Sequence, residues 1–462
     1  MKMHEKYGPI VRISPHELHI NDPEYYEILY SRDSPRDKYS YYTGQFGTPM
    51  AAISTKEHAH HRLRRSNMNP YFSMARIRQL EPSIKTLVDK LCARLKELQG
   101  TGKPIVAQYA YTCFSTDVIS DYTMGSGFHY LDEPDFIPHW SETLSAIAKA
   151  TVFFKPYPWL FYWLRALPES LVGKMEPGMK LFFVFRRRCE ALIKTVIDEH
   201  DSPDYDEKRK SYGHPTFFHD ILDSDLPPEE KGPERLSQEI QGVIGAGSET
   251  VAKTLSWLTY YLLANRDKLD KMLEELNRLD PDQIATAAEL EQMPYLTSVM
   301  LEGLRLSYGV STRLQRIAPD RNLQYKEWSI PAGTPVGMTS VMMHHNERIF
   351  PDSYKFLPER WMDSQQRKYL EKYLVAFSKG SRQCVGIKYD VLLPLSSTYV
   401  PNSNKFQNSL ARAELLLALS TLFRNLKLEL FETTREDVTL AHELFLPFPK
   451  IGSKGVRILV VD

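Results

Sequence analysis

The chain has 462 residues, enough for a sizeable core, and its 58 Lys+Arg balance its 58 Asp+Glu, so no global field recruits nucleic acid or an anionic membrane. With 42% hydrophobic and 25% charged residues, the composition is ordinary globular rather than disordered, fibrous or multi-spanning. Cys92, Cys113, Cys189 and Cys384 make no C-x-x-C pair and are too few to staple so long a chain, which points to a reducing compartment.

The opening MKMHEKYGPIVRISP lacks the apolar stretch of a signal peptide, and nowhere do about 20 residues run apolar without charge or proline. Ile10 to Ile20 (IVRISPHELHI) alternates around Pro15 and predicts a short sheet; Asp22-Pro23 then opens the helical pattern EYYEILYS. From Arg78 to Leu98 apolar residues recur at three and four positions, and comparable patterns continue through residue 310. Polar, Pro-rich passages at Asp201 to Pro215 and Asp223 to Pro233 predict surface loops, the second leading into a long helix from about Ser237 to Leu263. Beyond residue 310, RNLQYKEWSIPAGTPVGMTSV alternates and turns at Pro331-Ala332-Gly333, as short antiparallel strands do. No composition boundary and no solenoid-type repeat divides the chain. The expectation is one mainly α domain over 1–462 with a small sheet-containing lobe.

The most specific stretch is FSKGSRQCVG, Phe377 to Gly386. In it one cysteine follows a Gly-bearing loop, with an arginine two positions before it. The stretch resembles the haem-binding signature of the cytochrome P450 family, F-x-x-G-x-R-x-C-x-G, with Phe377, Gly380, Arg382, Cys384 and Gly386 at its fixed positions. The resemblance implies haem b with Cys384 as the metal ligand, Arg382 on a propionate and Phe377 shielding the sulfur. A lone cysteine in a Gly-rich turn would otherwise read as structural.

Further along the family's pattern, AGSET (Ala246 to Thr250) matches its oxygen-activation motif. Small Ala246 and Gly247 would leave room for dioxygen and substrate, while Thr250 competes for a backbone carbonyl and so opens the helix turn. By resemblance, Thr250 and Glu249 would supply the protons that O–O cleavage consumes. EGLR (Glu302 to Arg305) and FLPERW (Phe356 to Trp361) match two more family elements and predict a buried Glu302, Arg305 and Arg360 cluster of structural role. HRLRR places Arg65 at a propionate-binding position, with His61 where the family commonly has tryptophan, and RLQRIAP places Arg316 at another. His58, His60 and His61 lack acidic or Cys partners at ligand spacing and predict no separate metal site. FFKPYPWLFYWLRALP, Phe153 to Pro168, reads equally as a core helix or as a substrate-channel or membrane-dipping surface. The pocket lining is expected to include Ile244 and Val310 to Thr312.

Two departures from the family stand out. Relatives run from the cysteine into a continuous helix of the form CVGINLARAELLLAL, whereas here YDVLLPLSSTYVPNSNKFQNS intervenes, with Pro394 and Pro401 barring a helix. Residues 389–409 are therefore expected to be a non-family insertion, a translated intron whose in-frame removal restores CVGINLARAEL. KMHEKYGPIVRI also resembles the family just downstream of its membrane anchor, which implies an endoplasmic-reticulum, cytosolic-face location for a full-length form and a soluble or peripheral chain as written.

The resemblance implies monooxygenation of an apolar small molecule, a secondary metabolite such as a terpenoid or polyketide, as in fungal trichodiene-oxygenase-like members. One atom of O2 would enter the substrate. With no G-x-G-x-x-G in the chain, electrons would come from NADPH through a separate NADPH-cytochrome P450 reductase, with cytochrome b5 as an accessory partner and the chain itself a monomer. An isomerase or dehydratase using no external oxygen is the rival within haem chemistry, against which Glu249-Thr250 argues. A haem-binding protein impaired by the insertion after Cys384 is the rival outside catalysis.

Overall fold

The computed structural model describes residues 1–168, 177–280, 285–387 and 409–462. The site is framed by helices α1 His58–Met68, α2 Met74–Lys96, α3 Ala107–Met124, α4 Pro138–Phe154, α5 Pro158–Ala166, α6 Pro177–His200, α7 Pro233–Ala264, α8 Pro294–Ser307 and α9 Leu410–Asn425. The strands that matter to it are β1 Ile10–Ser14, β2 Glu17–Ile20, β3 Asp37–Lys38, β4 Arg316–Ile317, β5 Val336–Gly337, β6 His442–Leu444 and β7 Leu446–Phe448. The architecture is mainly α with small separate sheets, as expected.

The long helix α7 begins with Pro233 at its first position, where a missing N–H is harmless, and runs 32 residues to Ala264. It crosses the molecule because both it and α3 are buried over most of their length. Their seam is polar as well as apolar: Ser115 Oγ donates to Ser248 O (2.7 Å), Thr116 Oγ1 to Ser248 Oγ (2.8 Å), and the Tyr111 and Thr259 hydroxyls meet at 2.8 Å. Hydroxyls satisfied across a helix pair fix its register in a way that apolar contacts alone do not.

One sheet brings residues 10–38 together with residues 316–337, in the order β1-β2-β5-β4-β3. β1 and β2 form the expected antiparallel hairpin (Ile10↔Ile20), β2 pairs parallel with β5, and β4 pairs antiparallel with β3, setting Lys38 opposite Arg316. Residues directly opposite in an antiparallel pair project to the same face. Leu323–Tyr325 and Trp328–Ile330 form the predicted second hairpin. The passage expected to be a loop at Asp201 to Pro215 contains a helix, Tyr205–Ser211. Asp206 and Glu207 in its first turn and Lys208, Arg209 and Lys210 in its last complement the helix dipole, a charge order that polarity alone conceals.

The predicted charge cluster supports the site from below. Arg305 donates twice to Glu302 (2.9 and 2.8 Å), Arg360 adds 3.2 Å and the Trp361 indole 2.9 Å, with Glu302 and Arg305 fully buried. Arg305 also donates to the carbonyls of His344 (2.8 Å) and Ser353 (2.7 Å). His344 Nδ1 in turn meets Arg305 O at 2.8 Å, and Val375 N–H donates to His344 Nε2 at 2.9 Å. The cluster is thereby tied to the strand of chain that enters the loop around Cys384.

Candidate active site

The loop Phe377 to Gly386 is built from backbone turns. Ser378 (φ 57°) and Gly380 (φ 77°) adopt left-handed conformations, and Cys384 N–H donates to Phe377 O at 2.9 Å, closing the loop on itself. Gly380 is required twice over, because a Cβ there would lie 2.2 Å from Tyr30 O as well as at positive φ. Its part is to seat the loop on Tyr30 and Ser31; unlike the other signature residues it does not line the cavity. The Cys384 sulfur faces an internal cavity of about 370 Å³. Burial pushes its thiol up, while Arg65 and the N–H groups of Gly386 and Ile387 pull it back toward the thiolate.

Across the cavity lies the middle of α7. Thr250 Oγ1 donates to Ala246 O at 2.7 Å, the carbonyl competition that the sequence predicts. Ala246 is open to the cavity. Gly247 also borders it, but a Cβ there would stand 2.7 Å from the Ile119 side chain, so its smallness serves the packing of α7 on α3 rather than space for a ligand. The buried Glu249 carboxylate has Lys253 Nζ at 3.6 Å; burial raises its pKa against the opposing influence of Lys253, Gln108 and Ser145.

A third wall is basic. Lys38, His61, Arg65, Arg316 and Arg382 all line the cavity, against the carboxylates of Glu239, Glu249 and Glu414. Glu239 is tied to Arg235 at 2.8 Å and to Ala52 N–H at 3.0 Å. Arg382 donates to three backbone carbonyls, Thr55 (2.8 Å), Lys56 (2.7 Å) and Arg36 (3.3 Å), and burial with Arg316 and Arg65 nearby brings it down to about 9. Lys38 donates to Ile53 O and is buried without an ion pair among the described residues. Burial, then Arg382, Lys38, Arg65 and Arg316, hold His61 neutral. Buried cations gathered with so little opposing charge call for an anionic ligand.

A family model described as cytochrome P450 matches residues 1–388. The chain belongs to the cytochrome P450 family. It is similar to the cytochrome P450 monooxygenase MO6277 of Ascocoryne sarcoides, 42% identical over 99% of this chain and 87% of that protein. Tryptophan 6-hydroxylase fscE of Fusarium equiseti is 39% identical over 99% of this chain and 86% of its own length. N-acetyltryptophan 6-hydroxylase ivoC of Emericella nidulans is 37% identical over 98% and 85%. The chain is accordingly an oxidoreductase of the P450 monooxygenase class, whose members bind haem b iron through a cysteine thiolate.

The cavity fits that cofactor on its own chemistry. A sulfur flanked by N–H donors faces inward from one wall, and the basic wall matches the two propionates of a P450 haem. Cys384 would hold the iron, with Arg65, His61, Arg316 and Arg382 at the propionate side. Lys38 lines the same wall, and the sequence gives no sign of it. It reaches the cavity through the β3–β4 register with Arg316, a long-range pairing with no local signature.

Other parts of the reading shift. Ile244 is buried away from the cavity, and of Val310 to Thr312 only Val310 lines it, Thr312 being bound by Lys155 Nζ at 2.9 Å. His58 and His60 are used locally, His60 on Glu230 at 2.6 Å, and no cluster suited to a metal ion occurs among the described residues. The Phe153 to Pro168 segment divides between its two readings: Leu160 and Leu164 pack on Phe154, Phe182 and Phe183, while Phe153 and Trp159 are 67% and 63% exposed and Tyr157 and Trp163 lie open beside them. No helix among the described residues is long and apolar enough to cross a membrane. Most of the expected insertion, 389–408, lies outside the described residues; Ser409 caps α9, accepting from Arg412 N–H at 3.2 Å.

Proposed function

We propose that the chain hydroxylates a largely apolar small molecule held between Cys384 and the Ala246 to Thr250 turn, using electrons from NADPH through a separate reductase, with cytochrome b5 as an accessory donor. The observation that carries the reading is the single cavity that has Cys384 on one wall and Thr250 on another. Bound haem would supply oxygen activation at its iron. Around it the chain's residues would divide the work: Arg65, Arg316, Arg382 and Lys38 orient the group, Phe377 keeps water from the sulfur, and Thr250 with Glu249 holds protons close to where oxygen is reduced.

The substrate half is lined by Phe46, Ile53, Leu144, Ile147, Phe185 and Phe445, which favours burial of hydrocarbon or aromatic surface. The lining cations, Lys38, Arg65, Arg316 and Arg382, come from the basic wall, so among the described residues no further ammonium or guanidinium lines the cavity to pair a substrate carboxylate. This supports a terpenoid-like or polyketide-like molecule over a free amino acid, although two relatives carry the names tryptophan and N-acetyltryptophan 6-hydroxylase. The exposed aromatic surface at Phe153, Tyr157, Trp159 and Trp163 suits peripheral seating on the endoplasmic-reticulum membrane.

The family match stops at residue 388, where the proposed insertion begins; this supports reading 389–409 as foreign to the fold. The test is the carbon monoxide difference spectrum of the reduced chain. A strongly red-shifted band that Cys384→Ser abolishes supports thiolate ligation by Cys384, whereas an unchanged band in that variant overturns it. A listless spectrum from the chain as written, with a thiolate band once 388–409 is replaced by one asparagine, would assign the loss to the insertion.

A further inference from the structure

Glu249 can release a proton toward Thr250 only if something returns one to it, and among the described residues one charged group stands beside it. Lys253, one turn further along α7, is 8% exposed, and Glu249 is 3% exposed. The ammonium stands 3.6 Å from Glu249 Oε1, and among the described residues neither Glu249 oxygen has a partner at full hydrogen-bond geometry, Gln108 and Ser145 lying close but not closing one. Lys253 makes no other ion pair among the described residues. Its far side rests on the Phe448 ring of β7, 4.2 Å from the ring centre, and the exposed Lys149 of α4 reaches the same ring at 5.4 Å.

The groups packed around the pair are few. Gln108 of α3 and Ser145 of α4 face Glu249, Phe448 faces Lys253, and Lys149 is the further charge that acts on it. We propose that Lys253 is the proton donor that reloads Glu249, with the solvent entrance beside Lys149 and Phe448. This rests on the reading of Glu249 and Thr250 as the proton-supplying pair. In the step an Nζ–H bond of the ammonium breaks and an O–H bond forms at Glu249 Oε1, leaving a neutral amine and a carboxylic acid. The amine then takes a proton from a hydronium ion of the solvent at the Lys149 side, releasing water, and nothing is oxidised or reduced. Burial raises Glu249 and lowers Lys253, which brings the two proton affinities toward each other and favours easy exchange. Lys253 touches neither substrate nor the reacting atoms and acts through Glu249.

The experiment compares Lys253→Met, Lys253→Arg and Glu249→Gln in the haem-loaded enzyme. Arginine keeps the charge but does not give up its proton near neutral pH, so a relay predicts that both Lys253 variants lose product per NADPH by roughly tenfold. Peroxide release and the solvent isotope effect should rise and KM should hold, and neither variant should matter in a Glu249→Gln background. Normal coupling in Lys253→Arg beside a defective Lys253→Met would reduce Lys253 to a counter-charge and overturn the proposal. Normal coupling in Glu249→Gln would overturn the underlying proton-pair reading and the relay with it; a defect in Glu249→Gln alone would overturn the relay only. Infrared titration gives a readout apart from turnover: the carboxylic-acid band lost in Glu249→Gln should persist to higher pH in Lys253→Met, and an unshifted titration counts against the pair.

Discussion

Thr250 is held in a resting pose, its hydroxyl hydrogen spent on Ala246 O at 2.7 Å. Rotation about one side-chain bond would free it, so Thr250→Ala should keep haem and substrate affinity while diverting turnover into peroxide, measured as peroxide released per NADPH. Unchanged coupling would remove Thr250 from the chemistry. Glu302 presents the opposite case, a residue whose partners leave it no alternative pose. Replacing it with Ala strands Arg305 in a site with no solvent, and loss of one member of a buried pair costs about 3–5 kcal/mol. Denaturant titration should show that loss together with a lower yield of haem-loaded protein, since Arg305 also holds His344 and through it Val375. Glu302 was legible because its spacing to Arg305 is local. Lys253 is at i+4 from Glu249, an equally local spacing that a charge-pair scan along α7 would have found.

Between elements, small residues decide how closely chain passes chain. Ile119 occupies the space where a Gly247 side chain would go, so Gly247→Val should force α3 and α7 apart at a cost of about 1–3 kcal/mol, seen as a lowered unfolding midpoint. The long helix itself was readable from its period, and only its ends moved, to Pro233 and Ala264. What the periodicity could not show is that Ala246 faces the cavity and Gly247 a neighbouring helix, because both readings ask for a small residue at the same place. The Tyr205–Ser211 helix escaped for a different reason: it buries no side chain, so it carries no apolar stripe to detect.

The molecule as a whole is stapled by charge networks that span its sequence. Glu230 joins His60, Arg64 and Arg235 at 2.6, 2.8 and 2.9 Å; burial would raise it, but these hydrogen bonds prevail and hold it at about 2 against an ordinary 4.5. A carboxylate depressed in the folded state stabilises above its ordinary value, and that contribution drains away as pH falls toward the folded one. Thermal melting should therefore weaken as pH drops from about 4.5 to about 2, and Glu230→Gln should flatten that slope. The signature around Cys384 made the cysteine wall legible because its residues are contiguous. The basic wall is assembled from α1, β3, β4 and the cysteine loop, and only the members with a family motif could be named beforehand. Removing the insertion should raise haem occupancy, with one asparagine joining the cysteine loop to α9 where Ser409 now caps it. The clasp on that loop has one more consequence, in the order of synthesis. Arg382 grips carbonyls 326 to 346 residues upstream, and the ribosome delivers the N-terminal part first. Lys38, His61 and Arg65 of the basic wall thus leave the exit tunnel long before Arg382 and the sulfur that complete the pocket, and cofactor capture becomes a late event of biogenesis: ribosome-arrested chains stopped short of Cys384 should carry no haem, and chains released after α9 should acquire it.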